Sequence, residues 1–167
     1  MKRLEEAIRK GYIVWNAVPY TVESEIMNRD MFGASLRLSQ LLDEKYGRHT
    51  IAAKMTDVPG HTRGIVAPFY KAGIRFLHVG VNSACSVPDV PPFCRWRDSE
   101  GNEIVLAYQQ DYGTESLLPD GKTAISVNFT GDNHGPHRYK DVKRIYADIR
   151  KRYPCLLYTS PSPRDTR

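Results

Sequence analysis

Short apolar runs alternate with segments of helical period along this chain, and few architectures accommodate that order. "GYIVWNAV" is an apolar and aromatic run ending near Asn16 and reads as a strand. The segment from Ser24 to Tyr46 follows as one helix, with Met27, Met31, Leu38, Leu41 and Leu42 at helical spacing and Gly47 placed to close it. "TIAAKMT" reads as a second strand, "RGIVAPFYKAG" as a helix that Pro68 interrupts or delays, and "IRFLHVGV" as a strand ending at Asn82. "FCRWRDSEGNEIVLAYQQ" has the pattern of a hairpin turning at Glu100, Gly101 and Asn102. "KTAISVNF" is a further strand, and Arg138 to Tyr153 a last helix. Strands separated by helices need crossover connections, so the expected class is α/β on a mostly parallel sheet.

At 167 residues, 41% of them hydrophobic, there is apolar material for one modest domain and too little for two of ordinary size. The formal charge of +5 arises from 24 basic and 19 acidic residues with no block of five or more like charges, so no nucleic-acid partner is expected. The densest basic cluster, "YKDVKRIYADIRKRY", carries Val142, Ile145, Tyr146 and Ile149 at helical spacing, which makes its lysines and arginines the wet face of an amphipathic helix. Cys85, Cys94 and Cys155 are odd in number and lack C-x-x-C spacing. They indicate neither a disulfide framework nor a thiolate zinc site, and a reducing, cytoplasmic compartment is expected. No apolar run has the length of a membrane span, and "MKRLEEAIRKGY" has no signal-peptide core, so no membrane partner is expected either.

The polar residues that stand out share one kind of position. Asn16, Asp57 with His61, Asn82 and the cluster "GDNHGPH" from Gly131 to His137 all fall just beyond the C-terminal ends of expected strands. In parallel α/β sheets and barrels that edge is where loops converge on a ligand. Asp57 leaves a strand and faces the first turn of the next helix, where unpaired N–H groups and the positive end of the helix dipole favour an ionised carboxylate. Such a group suits a nucleophile or a metal ligand better than a proton donor. Pro59 and Gly60 form the sharp turn back to His61, and Thr62 is a helix-cap candidate. The plainer alternative is an Asx-type turn at Asp57 with His61 packed on the helix start; the residues alone leave both open.

"MTDVPGHTRGIVAPFYKAGIRFLHVGVN" resembles the nucleophile segment of the catalytic domain of glycoside hydrolase family 38, the retaining α-mannosidases. "KMTDVPGHTRGIV", "AGIRFLHVGVN", "PDVPPFCRWRD" and "DNHGP" follow one another as in a bacterial branch of that superfamily, and the similarity covers nearly all of residues 12–154. The resemblance implies a partial seven-stranded β/α barrel of the glycoside hydrolase/deacetylase kind, a carbohydrate substrate, a zinc ion, and hydrolysis through a glycosyl-enzyme intermediate. It makes Asp57 both nucleophile and zinc ligand. His61, Asn82, Asn133 and His134 are then the candidates for substrate-binding or supporting roles. Residues 1–154 are expected to be a fragment of such a domain, truncated at both ends and inactive alone, with Met1 an internal methionine. The closing "CLLYTSPSPRDTR", which drops the helical period for Ser, Pro, Thr and Arg, resembles an adapter-like or scar tail over 155–167.

The chain also departs from that family. The family's first two zinc ligands form a His-x-Asp motif that this sequence lacks, and its last zinc-binding histidine lies downstream of the similar region, which leaves Asp57 as the one ligand retained. The family's general acid is the Asp of a Gly-(Ser or Asp)-Asp segment. In "TGDNHGPH" Asn133 aligns with that acid and Asp132 with its neighbour, and an amide cannot donate the catalytic proton. Asp132 is therefore the candidate acid, with His134 or a changed chemistry as alternatives. His134 and His137 are a further candidate metal pair. His49 reads as a turn residue and His78 as a satisfied core histidine within a strand. Trp15, Trp96 and Tyr108 are core aromatics or stacking surfaces for a sugar, and Arg95 and Arg97 form a charged hairpin face. A metal-dependent deacetylase-like hydrolase and a non-catalytic carbohydrate-binding module are the alternative functions.

Overall fold

The alternation of strands and helices is realised as a mixed sheet of four strands: β1 (Ala52–Asp57), β2 (Phe76–Val81), β3 (Phe93–Arg97) and β4 (Glu103–Gln109), in spatial order β1-β2-β4-β3. The computed structural model describes residues 2–131 and 134–153. β1 runs parallel to β2, with Lys54 opposite His78 and Asp57 opposite Val81, and β2 runs parallel to β4, with Gly80 opposite Gln109. β3 closes one edge antiparallel to β4, as the hairpin pattern requires. In the turn, Gly101 takes φ +86°, and the Asp98 carboxylate accepts from the N–H groups of Glu100 and Asn102 and from the Asn102 amide. β2 is buried along nearly its whole length, which explains why its sequence is an almost unbroken apolar run.

Helices cover one face of this sheet. After α1 (Lys2–Arg9), a 3₁₀ turn (Ser24–Ile26) leads into α2 (Arg29–Ser35) and α3 (Arg37–Tyr46); a second 3₁₀ turn (Arg63–Ile65) leads into α4 (Val66–Lys71). Phe32, Leu36, Val66 and Phe69 pack in one apolar cluster with Ala53, Met55, Leu77, Val79 and Leu106, and the rings of Phe32 and Phe69 meet edge to face at 5.0 Å. Pro68 falls in the first turn of α4, where no intrahelical N–H is needed, so it does not interrupt the helix; the α-helix begins late, at Val66 after the 3₁₀ turn, the second of the two expectations. By the alternation of the pleat, Lys54, Thr56, His78, Gly80 and Gln109 lie on the opposite face.

Three expectations need correction. "GYIVWNAV" forms no strand. Instead the Asn16 side chain stands in for one, its amide nitrogen donating to the Lys54 carbonyl (2.7 Å) and its oxygen accepting from the Lys54 N–H (2.8 Å), while Ala17 N–H reaches the Ala52 carbonyl. The segment from Ser24 to Tyr46 is not one helix: Asn28 caps α2 through Met31 N–H (2.8 Å), and the chain restarts at Leu36. That restart shifts the helical phase, so Phe32, Leu36 and Ser39 are buried whereas Met31, Leu38 and Leu41 stay about half exposed. Gly47 does close α3, in the left-handed conformation at φ +62°. "KTAISVNF" contributes only β6 (Ala124–Ser126), which pairs antiparallel with β5 (Glu115–Leu117) as a separate two-stranded ribbon.

The chain divides into two compact units, Met1–Val127 with all the elements above and Asn128–Arg167. The second contains α5 (Tyr139–Arg152), the amphipathic helix expected from its spacing. No helix among the described residues is long and apolar enough to cross a membrane.

Candidate functional site

The C-terminal ends of β1 and β2 and the loop that follows β4 meet at Asp57. Asp57 sits at φ +78°, a left-handed conformation that breaks the pleat at the last residue of the strand. Asp111 (φ +55°) and Tyr112 (φ +61°) are the other non-glycine residues with positive φ among those described, and Tyr112 touches Asp57. Strain of this kind persists only where surrounding contacts over-determine it, and it gathers at functional sites.

The contacts form a closed triangle. Asn82, just past β2, donates through Nδ2 to Asp57 Oδ1 (2.9 Å) and to the Tyr112 hydroxyl oxygen (3.1 Å), and the Tyr112 O–H donates to the same Asp57 Oδ1 (3.0 Å). Asn82 is itself oriented by Ala84 N–H on its side-chain oxygen (2.9 Å), and its backbone N–H reaches the Asp57 carbonyl (3.2 Å). The Asn82 and then the Tyr112 hydrogen bonds hold the Asp57 carboxyl below its ordinary pKa. Both donors use Oδ1, and Asp57 is exposed, so the Oδ2 lone pairs are not taken up by either donor. These partners lie 25 and 55 residues away, so the carboxylate serves a tertiary site and no Asx turn. Gly80 makes the approach possible: a Cβ there would lie 2.3 Å from the Tyr112 carbonyl carbon.

His61 occupies a support beneath the following turn. Its Nδ1 lies 3.1 Å from Ser24 Oγ, which also accepts from Thr62 N–H (3.1 Å), and the Thr62 hydroxyl caps the next turn at Gly64 N–H. The Tyr108 hydroxyl donates to the Pro59 carbonyl. Burial lowers the His61 pKa, with the Val58 backbone acting in the opposite direction, and its Nε2 is buried without a hydrogen-bond partner.

On the sheet face away from the helices runs a polar chain that sequence reasoning did not anticipate. Lys54 Nζ donates to His78 Nδ1 (2.8 Å) and to the Tyr112 carbonyl (2.6 Å), and His78 Nε2 pairs with Gln109 Oε1 (2.8 Å). Gln109 Oε1 also accepts from Thr114 N–H, and its Nε2 donates to Ser116 Oγ. His78 is thus the satisfied interior histidine expected; burial, with the Lys54 charge beside it, pushes its pKa down to about 4, and burial lowers that of Lys54 to about 8. A cavity of ≈ 600 Å³ opens beside Lys54 and His78, walled by Trp15, Tyr20, Phe76 and Val127. Trp15 is fixed there by its indole N–H on the Asp43 carboxylate (3.0 Å), whereas Trp96 and Tyr108 pack on the core.

The structure therefore brings Asp57 and Asn82 together and adds Tyr112. His134 belongs to the second unit, with Nδ1 at 3.0 Å from the Thr130 carbonyl. Asp132 and Asn133, the acid candidate and its neighbour, lie outside the described residues. His49 is exposed beside Gly73, and Arg95 and Arg97 pair with Glu103 on the hairpin face. Among the described residues no three His, Cys, Asp or Glu side chains cluster to hold a metal ion, so the donor set around Asp57 does not by itself fit zinc. Tyr112 could have been found by the rule that singled out Asp57, since "QQDYG" follows the end of a strand. Lys54 offered no such signal.

The chain was compared with protein-family models, with curated proteins and with solved structures, and none of them matches it.

Proposed function

We propose that this chain carries the nucleophile of a retaining glycoside hydrolase of the α-mannosidase kind, built on part of a β/α barrel, with Asp57 as that nucleophile. The observation that carries the reading is the Asp57 carboxylate: exposed at the C-terminal edge of parallel strands, kept ionised by Asn82 and Tyr112 on one oxygen, and free to react through the other. In the first step an Asp57 lone pair bonds to the anomeric carbon as the bond to the leaving oxygen breaks, and that oxygen takes a proton from an acid. In the second, water attacks the same carbon, gives its proton back to the acid's conjugate base and releases the Asp57 carboxylate. Asn82 and Tyr112 restrain the carboxylate through both steps. Asp132 is the proposed acid and His134 its alternative, with His61, Asn82 and Asn133 in supporting or substrate-binding roles. Helices α2 and α4 packed on one face of a sheet whose β1, β2 and β4 run parallel support the barrel reading, because a β/α barrel carries its helices outside parallel strands. Zinc belongs to this proposal only as an ion that Asp57 would share with ligands from outside the described residues. The free thiols of Cys85 and Cys94 accord with a cytoplasmic setting.

Chemical rescue tests the assignment. In the protein that carries this chain, Asp57→Gly should lower aryl α-mannoside hydrolysis by on the order of 10⁴-fold. Azide should then restore turnover and give the β-mannosyl azide, because one displacement inverts the anomeric centre. Activity within a few fold of the parent, or a rescued product of α configuration, would contradict it.

A further inference from the structure

We infer that Lys54 is a positioning residue for Asp57, acting through the Tyr112 carbonyl to keep the Tyr112 hydroxyl on the carboxylate. The inference rests on Asp57 being the reactive group proposed above. Lys54 does not touch Asp57. It points from the middle of β1 into the polar face, where its ammonium bridges His78 Nδ1 and the Tyr112 carbonyl. A lysine donor at Nδ1 assigns His78 the tautomer with its proton on Nε2, and that N–H donates to Gln109 Oε1. The same Gln109 oxygen accepts from Thr114 N–H.

One side-chain row, Lys54–His78–Gln109, thus grips the segment 112–114 at both ends, at the Tyr112 carbonyl and at the Thr114 amide. Between them Gly113, at φ +126°, lies so close to the His78 ring that a Cβ would stand 2.8 Å from Cε1. The grip matters because the chain enters the segment through two consecutive left-handed non-glycine residues, Asp111 just before it and Tyr112 at its start. The Tyr112 N–H also reaches the Val81 carbonyl (3.2 Å) and keeps the segment on β2, so loss of Lys54 frees the Tyr112 carbonyl alone and lets the tyrosine ring and its hydroxyl shift away from Asp57 and Asn82. A lysine that only satisfied the buried His78 would have no need of the Tyr112 carbonyl. The carbonyl is the shorter of its two contacts.

The test reads the triangle directly. In the chain itself, the side-chain amide signals of Asn82 in ¹H–¹⁵N spectra report its bonds to Asp57 and Tyr112. Tyr112→Phe should move them, Lys54→Met should move them in the same direction, and the double variant should move them no further than Tyr112→Phe alone. Lys54→Arg, which keeps donors within reach of the carbonyl, should restore at least half of the shift. In the protein that carries the chain, Lys54→Met should slow the covalent step at Asp57 on the order of 10- to 100-fold while changing substrate binding less than about threefold, as expected of a misplaced reacting group. If Lys54→Met does not fold, Lys54→Gln, whose shorter amide cannot bridge both acceptors, is compared in the same way. A folded variant whose Asn82 signals stay in place, or effects of Lys54 and Tyr112 that simply add, would overturn the inference. The amide signals require no sugar, so they decide the role of Lys54 even if Asp57 forms no glycosyl adduct.

Discussion

Asp57, Asn82 and Tyr112 show how a site can be half legible in a sequence. The first two stand at the ends of strands whose apolar runs are visible, and polar residues at such ends invite attention. That they share a hydrogen bond depends on the parallel register of β1 and β2, which places Asp57 opposite Val81 and so beside Asn82. Lys54 stayed hidden because its partner is a backbone carbonyl 58 residues away, and no periodicity encodes that. Gly80 is the residue on which the approach of Tyr112 depends. Gly80→Ala should destabilise the fold by about 1–3 kcal/mol, seen in thermal or urea unfolding, because the methyl meets rigid backbone that cannot yield. His78 should leave its mark on acid stability. Its folded pKa of about 4 lies below the ordinary 6.5, so the unfolded chain binds the proton more readily between those values. The His78 contribution to stability is then complete above pH 6.5 and declines as the pH falls toward 4, by at most about 1.4 kcal/mol per pH unit, with His61 adding in the same direction. The depressed Asp57 carboxyl loses its contribution only below its ordinary 3.8, outside that window. Urea unfolding from pH 7 to 4 should show this slope, and His78→Gln should remove the larger part of it; a flat profile in the parent protein would count against a neutral, buried His78.

At the scale of elements, signals at ends were more legible than phase. Gly47 terminates α3 as its residue type suggests, and the hairpin turns where Glu100, Gly101 and Asn102 indicate. The break at Leu36 has no proline to announce it, so the apolar spacing from Met27 to Leu42 ran across a discontinuity and selected Met31, Leu38 and Leu41, which face outward. The decisive local residue is Asn28, whose side chain caps Met31 N–H and so starts a new helix. Asn28→Ala should cost about 1 kcal/mol of stability by equilibrium unfolding, with helix content lost from 29–35 in hydrogen exchange before 37–46. Equal protection of both segments would mean that they behave as one helix after all. "GYIVWNAV" misled for a different reason. Its composition suits a strand, but Asn16 supplies through its side chain the two hydrogen bonds that a strand would have made through its backbone.

At the scale of the whole molecule, the order β1-β2-β4-β3 places two parallel pairings next to each other and sets the ends of β1 and β2 side by side, where the carboxylate, its two donors and the strained loop converge. The class, α/β with parallel strands, followed from the alternation of runs. The separate β5–β6 ribbon did not, because "KTAISVNF" has the pattern of any strand and nothing in it names a partner. Helices α2 and α4 pack on one face of the sheet, the Lys54–His78–Gln109 row lies on the other, and the proposed chemistry sits at the rim of that second face. The proposed chemistry requires Asp57 to form a bond to the sugar. Its most direct test is to incubate the protein carrying this chain with a slow-turnover fluorinated mannosyl substrate and to map the adduct by peptide mass spectrometry. The account predicts one added sugar on the peptide bearing "TDVPGH", at Asp57, absent from Asp57→Ala and formed more slowly in Tyr112→Phe. An adduct on a different carboxylate, or an Asp57→Ala protein that is still labelled, would contradict it.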